Sequence, residues 1–388
     1  MKKFQALLLA VCLLLPGLTA CGRGQIGLPE SSPDPAASAE PASAPVPPSS
    51  TKKREYDMIE HPLSALAGDV ILLGERTNIT DAGLVLEWAC SGFEMTFTTP
   101  GTDIALRFNC GYTTYFKTYL DGTEASYRLA LSGNGARTAW KDVPAGTHTL
   151  RLIKDGQPDK NGGSCTLASV SLDGEIIPAS AEPQPLFLEF IGDSIWTGVG
   201  ALGNQGSSPT YSSEISATVA TPYRTASALG ADYNITARGS IGVIAKAGDL
   251  VASDLFSRLN GYRDETPYEP RRSPDAVIIC LGANDPSAEK DAFVEQGVAL
   301  IQKIRAAYGE GTKIVWTYGM FSKSHLVNEI RTIAERCGGE ASGVYCLQMI
   351  YGQNGSGSKE TNRHPSASDH EKNAAVLIPF LQEILGLS

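Results

Sequence analysis

A serine closes the run Phe190-Ile191-Gly192-Asp193-Ser194, directly after the apolar residues 186–191, and far downstream a histidine stands in His364-Pro365. A serine hydroxyl is a weak nucleophile until a base removes its proton, and histidine is the commonest such base. One on a strand-to-loop turn and the other near the C-terminus are the parts that acyl transfer to serine requires. Gly-Asp-Ser alone is a weak signal, because ordinary turns use the same residues. Its meaning depends on the elements that bring the two side chains together.

From residue 186 onward strand-like runs alternate with helical ones. The strands are expected at 186–191, 232–236, 276–281, 313–318 and 343–350, with helices over 287–308 and 366–385 among the connections. Such alternation implies an α/β domain whose parallel sheet carries helices on both faces, a doubly wound three-layer arrangement. Sites in these sheets lie beyond the carboxyl ends of the strands. Three segments meet that rule: Ser194 after the first strand, Gly282-Ala283-Asn284-Asp285 after the third, and His364 after the last.

Ahead of this domain, residues 56–180 show short alternating runs at 93–97, 104–108, 115–120 and 148–152, with hairpin-type turns at Asp121-Gly122 and Asp173-Gly174. That pattern reads as an all-β, jelly-roll-type sandwich. Residues 21–55 are rich in Pro, Ser and Ala and cannot bury enough surface to order themselves, so they read as an extended tether. Lys2 and Lys3 precede an apolar run closed by Leu18-Thr19-Ala20-Cys21, which is similar to a bacterial lipobox. Residues 1–20 are then a signal peptide, and Cys21 is the lipidated first residue of a protein tethered outside the cytoplasm. A plain secretory signal cleaved after Ala20 is the alternative.

The chain has 388 residues and a formal charge of −10, which argues against nucleic acid as a partner. No Cys/His spacing suggests zinc, and no cofactor or metal is expected. Among the cysteines, Cys280 reads as a buried thiol, and Cys337 and Cys346 flank a Gly-rich loop and could pair.

The ordered blocks Gly192-Asp193-Ser194-Ile195, Gly282-Ala283-Asn284-Asp285 and His364-Pro365-Ser366 resemble the SGNH (GDSL-type) hydrolases over residues 185–388. With a β-sandwich in front, Tyr318-Gly319-Met320 after the fourth strand and 235–242 (Ile-Thr-Ala-Arg-Gly-Ser-Ile-Gly), the chain resembles carbohydrate esterase family 2. That resemblance implies a serine esterase that deacetylates O-acetylated sugars through an acyl-enzyme. Ser194 would be the nucleophile and His364 the base. The oxyanion would be held by the Ser194 amide, the Asn284 side chain and an amide of the Arg238-Gly239-Ser240 loop, with Gly239 and Ser240 both open as donor. Many SGNH enzymes carry an aspartate two or three residues before the histidine; here Asn362 and Thr361 stand there. A Ser–His dyad with a neutral acceptor behind the ring is therefore expected, with Glu360 as the other candidate. Competing readings are a lipase or thioesterase on the same fold and a non-catalytic glycan-binding lipoprotein.

Other residues have plainer expectations. Asp193 and Asp285 support their loops, and His370 points away from His364 along a helix. His61, His148 and His325 lack motif context. Trp196 and Met320 line a pocket or pack in the core, and Tyr112, Tyr115 and Trp140 either stack on sugar or are core.

Overall fold

The computed structural model describes residues 55–387 apart from 160, 180–181, 204–211, 262–263, 321–325 and 351–363. Cys21, Glu360, Thr361, Asn362 and His325 lie outside the described residues.

Five parallel strands form the sheet of the C-terminal part: β1 Phe187–Gly192, β2 Asp232–Ala237, β3 Ala276–Cys280, β4 Lys313–Tyr318 and β5 Val344–Gln348. Their order is β2-β1-β3-β4-β5. The helices are α1 Thr221–Ala228, α2 Ala252–Phe256, α3 Lys290–Tyr308, α4 Val327–Arg336 and α5 Ala367–Leu385. Side chains alternate across a strand, so a sheet buried on both faces needs apolar residues in both phases. Ile191, Val277, Ile279 and Ile314 pack with α3 and α4, whereas Leu188, Phe190, Ile278 and Val315 pack with α1 and α5. The chain runs from β1 to β2 on one side, then crosses to β3 on the other. The carboxyl ends of β1 and β3 therefore flank the crevice where the strand order reverses, the usual ligand position in such sheets.

Residues 59–177 form antiparallel ladders around a separate apolar core. The two runs expected at 104–108 and 115–120 are one strand, Thr102–Leu120. Its first half pairs with Cys165–Leu172, its second with Gly146–Lys154, and both halves pair on the other edge with Leu129–Val143, so it links several ladders. A register shift between Cys110 and Thr114 lets it continue through the apparent break. Asp121-Gly122 is the expected tight turn, with φ of 51° and 78° and Leu120 paired to Thr123. Asp173-Gly174 is not a hairpin. The strand after it, Glu175–Ile177, pairs with Gly92–Thr99 instead. Glycine is needed at 174 because a Cβ there would meet the Thr98 carbonyl oxygen at 2.0 Å.

The cysteines also pair differently from expectation. A disulfide joins Cys110 and Cys165, which face each other across a ladder. Cys337 and Cys346 remain thiols, one capping the end of α4 and the other on β5. Cys280 is a buried thiol, as its strand position suggests, and burial pushes it well above the ordinary value.

Two buried polar clusters join the β-rich part to the parallel sheet. Arg76, 2% exposed, pairs with the fully buried Glu189 of β1 at 2.7 Å and donates to the carbonyls of Phe256 and Arg258. Thr236 and Tyr308 also donate to Glu189, so both carboxylate oxygens are satisfied. On the other side Asp155 accepts from Ser216 Oγ, Thr218 N and Thr218 Oγ1 at 2.8–2.9 Å and pairs with Arg128.

Candidate active site

Ser194 leaves β1 in a one-turn loop in which Val199 N donates to the Ser194 carbonyl at 3.0 Å. Asp193 holds that loop. It is 1% exposed, and its Oδ1 accepts from Ile195 N at 2.9 Å. Burial pushes its carboxyl up to about 7, opposed by the Ile195 amide and aided by the nearby Asp285 charge.

His364 reaches the serine from the other end of the domain. Its Nε2 lies 2.9 Å from Ser194 Oγ, within hydrogen-bond reach for a general base. The helix that fixes it, α5, starts at Ala367 rather than at His364, and Ser366 caps it by a reciprocal bond with Asp369. Pro365 suits this position because a residue with no N–H costs nothing just ahead of a helix.

Asn284 follows β3. Its Nδ2 donates to Asp193 Oδ2 at 3.1 Å and to the Ile241 carbonyl at 2.9 Å. Both protons of that amide are thus engaged, so donation to an oxyanion requires sharing or releasing one bond. Next to it, Asp285 accepts from the amides of Val243, Ile244 and Ala245 at 2.8–3.1 Å, which makes it the brace of the loop after β2.

The same loop carries the two candidates for the backbone donor. Gly239 faces the serine: a Cβ added there would lie 3.7 Å from Ser194 Cβ. Ser240 takes the left-handed conformation instead, with φ of 67°. Gly239 N donates at 3.2 Å to Oε1 of Gln157, from the β-rich part of the chain. Sequence reasoning missed Gln157, since nothing in the loop 155–163 marks it as part of a site assembled around Ser194.

Trp196 is wholly buried and packs edge-to-face on Phe190 at 5.3 Å, so it is core. Met320 lines a cavity of about 30 Å³ behind the site, together with Asp193, Cys280 and Thr317. His370 is buried, accepts from Thr221 N through Nδ1, and is pushed down to about 3 by burial, then by Arg224 and His364. His148 bridges Asp121 and the Pro144 carbonyl. The rings of Tyr112 and Tyr115 stack on Lys154 and Arg128. No cluster of His, Cys, Asp and Glu suited to a metal occurs among the described residues.

Comparison with solved structures places this geometry. A family two carbohydrate esterase from Clostridium thermocellum, in complex with cellohexaose, superposes with a TM-score of 0.73 at 22% identity, covering 82% of this chain and all of its own. The chain has the fold of the family two carbohydrate esterases. An acetyl xylan esterase from Butyrivibrio proteoclasticus gives a TM-score of 0.71 at 20% identity over 85% of this chain and 99% of its own. A family two esterase from Cellvibrio japonicus gives 0.73 at 18% over 86% and 99%. No family model matches the sequence, and no curated protein matches it. The shared fold takes in residues of both the β-rich part and the parallel-sheet part, since the matches cover 82–86% of this chain, more than either part alone.

Proposed function

We propose that the protein is a serine esterase that removes acetyl groups from O-acetylated sugars, on a doubly wound sheet preceded by a jelly-roll-type sandwich. The observation that carries the reading is the 2.9 Å approach of His364 Nε2 to Ser194 Oγ at the sheet's switch point. His364 takes the hydroxyl proton as Ser194 Oγ attacks the ester carbonyl. The resulting oxyanion is held by the amides of Ser194 and Gly239 and by Asn284 after it gives up one of its present bonds. Collapse breaks the bond to the sugar oxygen, which takes the proton from His364, and leaves acetyl-Ser194. Water, deprotonated by His364, then releases acetate and restores the serine. A carbohydrate substrate is supported by the similar Clostridium thermocellum protein, whose structure holds cellohexaose.

The leader sequence supports a second element of the proposal, attachment to the bacterial cell membrane by a lipid on Cys21. Cys21→Ala should move the protein from the membrane fraction to the medium.

The expected outcome is acetate release from acetylated xylan, glucomannan or wall polymers, reduced at least a thousandfold in Ser194→Ala and His364→Ala. Acetyl esters should be preferred over butyryl esters. A preference for longer chains would point to a lipase or thioesterase. Sugar binding with no hydrolysis of any ester would point to a glycan-binding protein.

A further inference from the structure

Gln157 lies in the loop after the strand Gly146–Lys154, outside the parallel sheet, yet its side chain ends beside Ser194. A Cβ on Gly239 would sit 2.9 Å from Gln157 Oε1 and 3.7 Å from Ser194 Cβ, so both side chains converge on the open face of that glycine. The Gly239 N–H donates to Gln157 Oε1 at 3.2 Å, and Thr197 Oγ1 reaches the same oxygen at 3.4 Å. Gln157 Oε1 is a neutral sp² oxygen. It occupies the donor that the esterase mechanism reserves for the neutral sp² oxygen of an ester.

The backbone beneath this side chain is fixed. Two residues earlier, Asp155 is buried and held by Ser216, Thr218 and Arg128. Tyr112 OH donates to the Gln157 carbonyl at 3.4 Å. Gln157 itself is only half-buried, so rotation of its side chain alone can vacate the amide.

We infer that Gln157 is a displaceable occupant of the acyl-oxygen site: it satisfies the Gly239 N–H in the free protein and is expelled when an ester carbonyl takes that donor. The inference rests on the esterase reading. It assigns the β-rich part a direct role at the reacting centre, as the source of a group that competes with substrate for one hydrogen bond.

Competition and mere support have opposite signatures. Removing a competitor worth one neutral hydrogen bond should tighten substrate binding, so Gln157→Ala should lower KM for 4-nitrophenyl acetate by about two- to tenfold. Gln157→Glu keeps the length but places a carboxylate on the amide, where it binds more strongly and opposes the developing oxyanion. It should lower kcat/KM by about a hundredfold or more. Both variants are measured at pH 8 beside the wild type, with folding checked by their melting temperatures. If both variants fold and Gln157→Ala raises KM or leaves it unchanged, or Gln157→Glu matches the wild type, the inference is overturned while the esterase reading stands. If the wild type hydrolyses no ester, both fall together.

Discussion

At the scale of single residues the site combines a poised hydrogen bond with a carboxyl kept out of water. Asp193 is pushed up to about 7 by burial, whereas the unfolded chain ionises it near pH 4. The folded form therefore keeps this proton over a range where the unfolded form loses it. Stability from this group is fully present below about pH 4 and is lost as pH rises towards 7. Asp193→Asn abolishes the ionisation. Its stability should fall less than the wild type's between pH 4 and pH 7.5, by about a few kcal/mol, seen as a smaller drop in melting temperature. Thermal unfolding across that range checks it, and parallel curves would contradict the burial account. Ser194, Asn284 and His364 were legible in the sequence because each follows a strand, and strand ends converge in parallel sheets. Gln157 was not legible. It reaches the site through the packing of two cores, which no local pattern records.

At the scale of elements, the loops after β1, β2 and β3 hold one another. Asp193 braces the first and touches Asn284 of the third, and Asp285 of the third braces the second. The contact is tight at Gly242, where a Cβ would lie 2.4 Å from Asp285 Oδ1 and 2.6 Å from Oδ2. Gly242→Ala must push the carboxylate off its three amides. It should cost about 1–3 kcal/mol, as overpacking of a filled interior does. Because Asn284 adjoins Asp285, the variant should also lose ester hydrolysis at least tenfold, measurable beside a melting curve. Periodicity located the parallel strands to within a few residues because each is a short segment, mostly apolar in β1, β3 and β4, set between turns and helical stretches. It split Thr102–Leu120 in two because the polar stretch around Gly111 interrupts alternation, although hydrogen bonding continues past it with shifted register.

At the scale of the whole molecule, the β-rich part and the parallel sheet share buried charge. Arg76 closes an ion pair with Glu189 on the strand that ends at Ser194. Removing one partner leaves the other buried and uncompensated, so Arg76→Ala should destabilise the protein by about 3–5 kcal/mol in chemical denaturation. A change within 1 kcal/mol would show that the pair is replaceable by water. The Cys110–Cys165 disulfide spans a sequence separation of 55 residues. Its reduction should cost about 2–4 kcal/mol, seen as a lower melting temperature with reductant. That pairing had a readable signal: Cys110 continues the inward phase of Ile104, Leu106 and Phe108, and Cys165 that of Leu167. The Arg76–Glu189 pair had none, because the charges of two distant segments meet only after both cores form.

The central claim is that Ser194 is an activated nucleophile with His364 as its base. Intact-protein mass spectrometry after treatment with a fluorophosphonate tests it most directly. The account predicts a single adduct on Ser194 in the wild type, none in Ser194→Ala and markedly slowed labelling in His364→Ala. Wild-type protein that stays folded and unlabelled, or that labels equally fast without His364, would contradict it.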